Sequence, residues 1–265
     1  MSSSSAFATI AVSASGAVGE LVLAQPKRLN PLGAETLEEL IDAARWFDQH
    51  DDLKVVTVRG EGRVFSAGAD VAVFATGSIG SSDPRHAADL GRLMADAIEA
   101  MRAVTIAAIH GHCVGGGLVL AAACDLRIAA AGTAFSIPEV DLGIPLAWGG
   151  IPRLVREIGP AATKELVMSC RTFDAEEAMQ LGFLNRVVPA GALGDAVEEL
   201  AATLAAKPKQ ALLATKRHTN AVADGMVSAS RSWADADGLL AALQDPEGRA
   251  AAAAYLQRMG RNEPR

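Results

Sequence analysis

A run of three glycines between two apolar segments is the feature that most limits how this chain can fold. Gly115 to Gly117 follow Thr105–Ile109, which has the composition of a buried strand, and precede the helix-like segment Val119–Ala123. Glycine allows a ligand to approach the backbone closely, and a helix N-terminus presents unpaired N–H groups and the positive end of the helix dipole. Such a turn suits a phosphate or an oxyanion that forms during a reaction. A simple tight turn from strand to helix is equally compatible with these residues.

Alternating strand and helix patterns in the first part of the chain, followed by helix patterns alone, predict an α/β core with a helical C-terminal region. Strands are predicted at Thr9–Ser13, Gly19–Leu23, Val55–Arg59, Thr105–Ile109, Leu126–Ala129 and Ala134–Ser136, the first two as a hairpin. Helices are predicted at about Ala34–Gln49, Arg85–Met101, Pro160–Met168, Ala175–Gln180, Ala192–Ala205, Pro208–Val222, Gly225–Leu243 and Pro246–Met259. No strand is predicted beyond about Ile151.

Composition excludes several classes of partner. The net charge of −7 argues against nucleic acid or an anionic membrane as the main partner, and no apolar run is long enough to span a bilayer. The beginning of the chain lacks a signal-peptide pattern, so a cytoplasmic location is expected. The three cysteines have no metal-binding spacing and His110 and His112 are expected to be packed or hydrogen-bonded near the glycine turn, so no metal site is predicted.

Two small-residue loops, Ser66–Val71 and Cys113–Gly117, each follow a predicted strand. If the two strands are neighbours, one backbone N–H from each loop can point at a single oxygen and form an oxyanion hole. Glu139 lies in an apolar segment, where burial would raise its pKa towards the range of a general base. A salt bridge or a helix cap is the structural alternative for this carboxylate.

Four motifs in this order and spacing resemble the enoyl-CoA hydratase/isomerase (crotonase) superfamily. They are Phe65-Ser-Ala-Gly-Ala-Asp-Val71, Ile109-His-Gly-His-Cys-Val-Gly-Gly-Gly117, Ala123-Cys-Asp-Leu-Arg-Ile128 and Phe135-Ser-Ile-Pro-Glu139. The resemblance implies a crotonase-like spiral of ββα units with a C-terminal helical trimerisation region. It divides the chain into a flexible tail over 1–8, a spiral core domain with the acyl-CoA site over 9–195 and the trimerisation region over 196–265. The implied partners are an acyl-CoA thioester and further copies of the chain in a homotrimer or a homohexamer; no separate cofactor is implied, because coenzyme A is part of the substrate.

The same resemblance assigns roles to individual residues. The N–H groups of Ala69 and Gly116 match the family's oxyanion hole, and Glu139 matches its second catalytic glutamate. The residues that match its substrate-binding segments are Lys27, Leu29, Ala67, Gly68, Ala69, Asp70, Val71 and Gly116. Lys27, Arg28, Arg63 and Lys216 are candidate partners for the phosphates of coenzyme A.

One departure from the family pattern bears on the reaction. Family hydratases carry a first glutamate two residues after the glycine run, where this chain has Val119. Valine cannot orient or deprotonate water, so proton transfer by Glu139 alone, as in Δ3,Δ2-enoyl-CoA isomerisation, is the leading hypothesis. An enoyl-CoA hydratase with a different water site, in which Asp141 is one candidate acid, and a non-catalytic acyl-CoA binding protein are the alternatives.

Overall fold

The computed structural model describes residues 2–70 and 82–262. Its strands are β1 Ser2–Ala6, β2 Ile10–Ser15, β3 Val18–Leu23, β4 Val55–Gly60, β5 Val104–Ile109, β6 His112–Val114, β7 Leu126–Ala130, β8 Ala134–Ser136, β9 Phe173–Asp174 and β10 Arg186–Val188. Its α-helices are α1 Ala34–Asp48, α2 Pro84–Ala100, α3 Gly116–Ala123, α4 Gly150–Ser169, α5 Ala175–Gln180, α6 Leu193–Ala205, α7 Lys209–Met226, α8 Asp235–Gln244 and α9 Pro246–Asn262.

Seven of the described strands form one sheet in the order β1-β2-β3-β4-β5-β7-β10. The first three strands are antiparallel, and each pairing from β3 to β10 is parallel. A second sheet, β6-β8-β9, lies where the chain leaves the end of β5. These elements confirm the predicted α/β class.

The central strand β5 is buried along its whole length because it is covered on both faces. Ala107 and Ile109 point into the main core cluster with α1, α2 and α3. Ile106 and Ala108 point to the opposite face, where α6 contributes Leu193, Val197 and Ala201. The segment that leads to the glycine run therefore starts from a rigid strand that is covered on both faces.

A third apolar cluster joins the helical C-terminal region to the loop that follows β8. Leu142, Ile144 and Ala147 pack there against Leu239 and Leu243 of α8. Gly143 approaches Gly248 of α9 so closely that a Cβ built on Gly143 would lie less than 3.0 Å from that backbone. Within the described residues, no helix has both the length and the apolar character needed to cross a membrane.

Three sequence-based predictions need correction. Residues 2–6 are not a flexible tail but form β1, which pairs with β2 through main-chain hydrogen bonds that require no apolar pattern. Strands do occur after Ile151, but β9 and β10 have only two and three residues, too few for a visible periodicity. Helix α4 begins at Gly150 rather than Pro160, and the proline follows a kink at Gly159 inside it.

The last predicted helices also differ from the structure in one place. Instead of a helix over Gly225–Leu243, α7 extends to Met226, a short 3₁₀ helix covers Ala229–Ser232, and α8 starts at Asp235. The interruption is stabilised by the Ser228 hydroxyl, which accepts a hydrogen bond from the Ser230 N–H at 3.2 Å. Serine favours such local hydrogen bonds over a continuous helix.

Candidate active site

The two predicted small-residue loops lie side by side. Ser66 and Cys113 form an isolated parallel bridge, in which the Ser66 N–H donates to the His112 carbonyl at 3.2 Å and the Val114 N–H donates to the Ser66 carbonyl at 3.1 Å. The loop after β4 is thereby fixed alongside β6 and the glycine turn. The expectation that these loops meet at one edge of the sheet is confirmed.

Gly68 is the point of closest approach between the loops. Its φ of 87° lies in the left-handed region, and a Cβ there would lie 2.5 Å from the Val114 carbonyl oxygen and 3.4 Å from the Gly116 nitrogen. Only glycine fits this position. Its neighbour Ala69 is consequently held beside the N-terminus of α3.

The N–H groups of Ala69 and Gly116 do not take part in the hydrogen bonds that hold the two loops together. Ala69 bridges Leu32 in parallel, a pairing in which the Leu32 N–H donates to the Gly68 carbonyl at 2.8 Å. In such a pairing the N–H of Ala69 itself points to the opposite side. Gly116 is the first residue of α3, so its N–H has no partner within the helix.

Glu139 is positioned directly against this turn. The Gly115 N–H donates to the Ser136 carbonyl at 2.9 Å, which ties the turn to the end of β8, three residues before Glu139. Gly115 has φ 47°, and a Cβ on it would lie less than 3.0 Å from Glu139 Oε1. The glycine thus leaves room for the carboxylate.

The Glu139 carboxyl is buried and incompletely hydrogen-bonded. The residue is 9% exposed, and its Oε2 has no hydrogen-bond partner among the described residues. Burial raises the pKa of this carboxyl from 4.5 to about 7. Among the described residues this carboxyl forms no salt bridge and caps no helix, and a carboxyl of this pKa can accept and return a proton near neutral pH.

Position 119 contributes only apolar surface. Val119 is 1% exposed and belongs to the main core cluster. Val119 and Leu146 both pack against Gly150, because a Cβ on that glycine would lie 3.0 Å from Val119 Cγ2 and 2.9 Å from Leu146 Cγ. Asp141 does not replace the missing carboxylate, since it is exposed and faces Arg258 at 3.7 Å.

The segments assigned to coenzyme A converge on the same loop. The Ala67 N–H donates to the Leu29 carbonyl at 2.9 Å, and Arg28 pairs with Asp70 at 2.7 Å. Lys27 is exposed in the short 3₁₀ helix Pro26–Arg28. Val71 lies outside the described residues.

Of the other candidate phosphate partners, Arg63 is exposed, but the structure contradicts the assignment of Lys216. Its ammonium group is buried, 2.7 Å from Asp125 and 2.8 Å from the Ala103 carbonyl. This lysine of α7 therefore binds the helical region to the main sheet. A buried, paired cation is not available to a phosphate.

Two residues that hold the Ala67–Asp70 loop in place were not found from the sequence. The Asn30 side-chain amide is buried and donates to the carbonyls of Val64 and Phe65 at 3.0 and 3.2 Å. The Ser66 hydroxyl donates to the Asn30 carbonyl at 2.8 Å and accepts from the Gly68 N–H at 3.1 Å. Asn30 also adopts a positive φ of 52°, which asparagine tolerates better than most residues, and only its place between two prolines hinted at this.

The histidines and cysteines show no arrangement for metal binding. Among residues 2–70 and 82–262, no group of three or more His, Cys, Asp or Glu side chains could hold an ion. His110 Nε2 lies 3.0 Å from the Gly62 carbonyl oxygen, and His112 is exposed. Burial raises the pKa of the Cys113 thiol well above its usual value, so this residue is an unreactive core group.

Comparison with known proteins identifies the family. The sequence matches the enoyl-CoA hydratase/isomerase family over residues 13–260. It is 35% identical over 230 residues to the crotonyl-CoA hydratase of Syntrophomonas wolfei, covering 85% of this chain and 86% of that protein. It is 40% identical over 179 residues to a probable enoyl-CoA hydratase of Bacillus subtilis, covering 67% of each protein.

Solved structures show the same fold. The crystal structure of an enoyl-CoA hydratase from Bacillus halodurans superposes with a TM-score of 0.85 at 23% identity, covering 93% of this chain and 100% of the other. The predicted crotonase fold is confirmed by this similarity. From its motifs, its fold and its relatives, the chain belongs to the enoyl-CoA hydratase/isomerase family.

Proposed function

We propose that the protein moves the double bond of a 3-enoyl-CoA thioester into conjugation, with Glu139 as the only proton-transferring side chain. The observation that carries this proposal is the contrast between two positions beside the glycine turn. Glu139 presents a buried oxygen without a hydrogen-bond partner among the described residues, whereas Val119 presents only methyl groups.

The reaction needs one group that removes a proton and then returns it. Glu139 in its carboxylate form would take a proton from C2 of the thioester, leaving a dienolate with negative charge on the thioester oxygen. The resulting Glu139 acid would give the proton to C4, so that the double bond moves from C3–C4 to C2–C3 and no atom is gained or lost. A carboxyl with a pKa near 7 suits both halves of this cycle.

The developing oxyanion would be stabilised by the N–H groups of Ala69 and Gly116. Both belong to short rigid segments that Ser66, Asn30 and the bridge to Cys113 hold in place. Donors fixed before the reaction need no reorganisation, and a single donor of this kind contributes about 3 kcal/mol to transition-state stabilisation. Lys27, Leu29 and the Ala67–Asp70 segment would contact the coenzyme A part of the substrate.

Hydration of a 2-enoyl-CoA is the second candidate, because relatives at 35% and 40% identity are named hydratases. In that reaction water adds its oxygen to C3 and a proton is delivered to C2. Glu139 could handle the proton, and backbone groups would have to hold the water in place of a first glutamate.

The two reactions change the ultraviolet absorbance of the thioester in opposite directions. Isomerisation of a 3-enoyl-CoA creates the ultraviolet absorbance of a conjugated thioester, and hydration of crotonyl-CoA removes it. We expect the wild-type protein to create the absorbance, Glu139→Gln to lose this activity by roughly 10²-fold or more, and Asp141→Asn to retain it.

Other results would change the assignment. Faster loss of absorbance from crotonyl-CoA than gain from 3-enoyl-CoA would favour hydration. Tight binding of a saturated acyl-CoA with neither reaction would instead indicate a non-catalytic binding protein.

We also infer an assembly of three chains, or of two such trimers, held together by the C-terminal helices. The supporting observation is that α7 buries little besides Lys216 against its own chain, while Val222 and Met226 are 54% and 74% exposed. Such apolar exposure is typical of an interface. Light scattering after size-exclusion chromatography would test the assembly, and a monomer would contradict it.

A further inference from the structure

Trp148, two residues before α4, has an unusual backbone conformation. Its φ is 62°, in the left-handed region, and the next residue, Gly149, has φ 69°. A bulky side chain rarely adopts this conformation, and it persists only where the surroundings hold it.

Three hydrogen bonds hold the turn that carries Trp148. The Gly149 N–H donates to the Asp235 carboxylate at 2.8 Å, and the fully buried Arg153 donates from Nη1 to the Gly149 carbonyl at 3.2 Å. The Gly150 N–H donates to the Ala147 carbonyl at 3.0 Å. The backbone turn that carries the indole is therefore held by both α4 and the C-terminal helical region.

The indole ring lies against two glycines, one of them in the candidate oxyanion hole. A Cβ built on Gly91 of α2 would overlap the ring, and one built on Gly116 would lie 3.0 Å from Cε3 and closer still to Cζ3. The ring edge is thus in contact with the residue whose N–H would bind the thioester oxygen. Trp148 remains only partly buried although it borders two apolar clusters.

We propose that Trp148 is a specificity-determining residue that closes the acyl pocket beside Gly116 and restricts the substrate to short acyl groups. This inference rests on the proposed function, because it requires the thioester oxygen to bind at Gly116. An acyl chain that starts there and runs towards the indole meets the ring edge within the first few carbons. Val119 and Leu146, packed on Gly150 of the same turn, make this side of the site apolar, so chain length rather than polarity is the property that it selects.

Binding of unreactive ligands tests this inference without requiring turnover. Dissociation constants for coenzyme A, butyryl-CoA and octanoyl-CoA would be measured by calorimetry for the wild-type protein, Trp148→Ala and Trp148→Phe. We expect Trp148→Ala to lower the ratio of the octanoyl-CoA to the butyryl-CoA dissociation constant by about tenfold or more, with a smaller change for Trp148→Phe. Trp46→Ala is the matched control, because it removes another partly buried indole, one that packs on Phe47 and His50.

The outcomes separate the inference from the function on which it rests. If coenzyme A binds and the chain-length ratio is the same in all four proteins, Trp148 does not select the acyl group and this inference is wrong. If the wild-type protein binds neither coenzyme A nor butyryl-CoA, the proposed function fails and the inference fails with it. If Trp148→Ala does not fold, the ratio measured for Trp148→Phe decides.

Discussion

Glu139 Oε1 occupies the space that a side chain on Gly115 would need. Gly115 combines this contact with a positive φ of 47°, and it is the N-cap residue of α3. The glycine run therefore does more than turn the chain from strand to helix. It makes room for the Glu139 carboxylate beside the glycine turn that carries the candidate oxyanion donor Gly116.

Gly115→Ala should consequently inactivate the protein. The added methyl would displace the Glu139 carboxylate, and a misplacement of this size costs about 10²-fold in rate. Gly132→Ala is the matched control, since Gly132 has φ 81° but no atom within 4 Å of the position that the new methyl would take. Both variants should lose about 1 kcal/mol of stability from backbone strain, and only Gly115→Ala should lose activity in the isomerisation assay.

The rate of isomerisation should depend on pH through the Glu139 carboxyl. Because burial raises its pKa to about 7, the fraction in the carboxylate form that removes the C2 proton increases as the pH rises through that value. We expect kcat/KM to rise about tenfold per pH unit below the pKa and to level off above it. A profile that is flat between pH 5 and pH 8 would show that this carboxyl is not the base.

The same carboxyl should make the folded state less stable at high pH. The folded-state pKa of Glu139, about 7, lies above the ordinary value of 4.5, so the fold is favoured below the ordinary value and this contribution is lost as the pH rises through 7. Glu139→Gln removes the charge, so it should be more stable than the wild-type protein by about 3 kcal/mol at pH 8. The difference in free energy of unfolding, measured by urea denaturation, should shrink towards pH 5, and an equal difference at both pH values would contradict the assignment.

Val119→Glu should restore part of a two-carboxylate site. The new side chain would lie on α3 beside the glycine turn, with Val119's present neighbours Leu146 and Gly150 around it. We expect a measurable gain in crotonyl-CoA hydration and a loss of a few kcal/mol in stability, because a charge enters an apolar site. Val119→Gln carries a similar volume without a carboxylate and should not gain hydration.

Lys216→Met should destabilise the protein without weakening the binding of coenzyme A. Removing the ammonium group leaves the Asp125 carboxylate with its hydrogen bonds from Thr105 but without the cation at 2.7 Å, a loss of about 3 kcal/mol. Lys27→Met should have the opposite effect, because Lys27 is exposed and its segment would contact coenzyme A. Thermal unfolding would measure the loss of stability, and calorimetric titration with coenzyme A would measure binding. Weaker binding of coenzyme A by Lys216→Met, with normal binding by Lys27→Met, would show that Lys216 does contact coenzyme A.

Local sequence patterns predicted only those site residues that lie in or next to a recognisable motif. The apolar run before Gly115 and the apolar surroundings of Glu139 are visible in the sequence, so the turn and the raised pKa could be anticipated. Asn30 and Ser66 act through hydrogen bonds to residues on other segments, which no periodicity encodes. Lys216 shows the opposite error, because it was predicted to contact phosphate but is buried. A lysine on an amphipathic helix is expected to be exposed unless the sheet against which it packs is known.

Tertiary contacts also decided the remaining differences in the fold. Strands β9 and β10 exist because β8 and β7 offer them open edges, and their own sequences are too short to show it. The left-handed conformation of Trp148 depends on Asp235, which is distant in sequence, and on Arg153 in the following helix. Such features are fixed by the assembled chain rather than by a local preference.

The contact between Gly143 and Gly248 has a consequence for how the molecule can move. Because no side chain separates the two backbones, a side chain added at either glycine would push α9 away from the loop that carries Glu139. A displacement of α9 towards the loop would therefore be passed on to the segment that carries Glu139. The helix α9 is in this sense mechanically coupled to the candidate catalytic carboxylate.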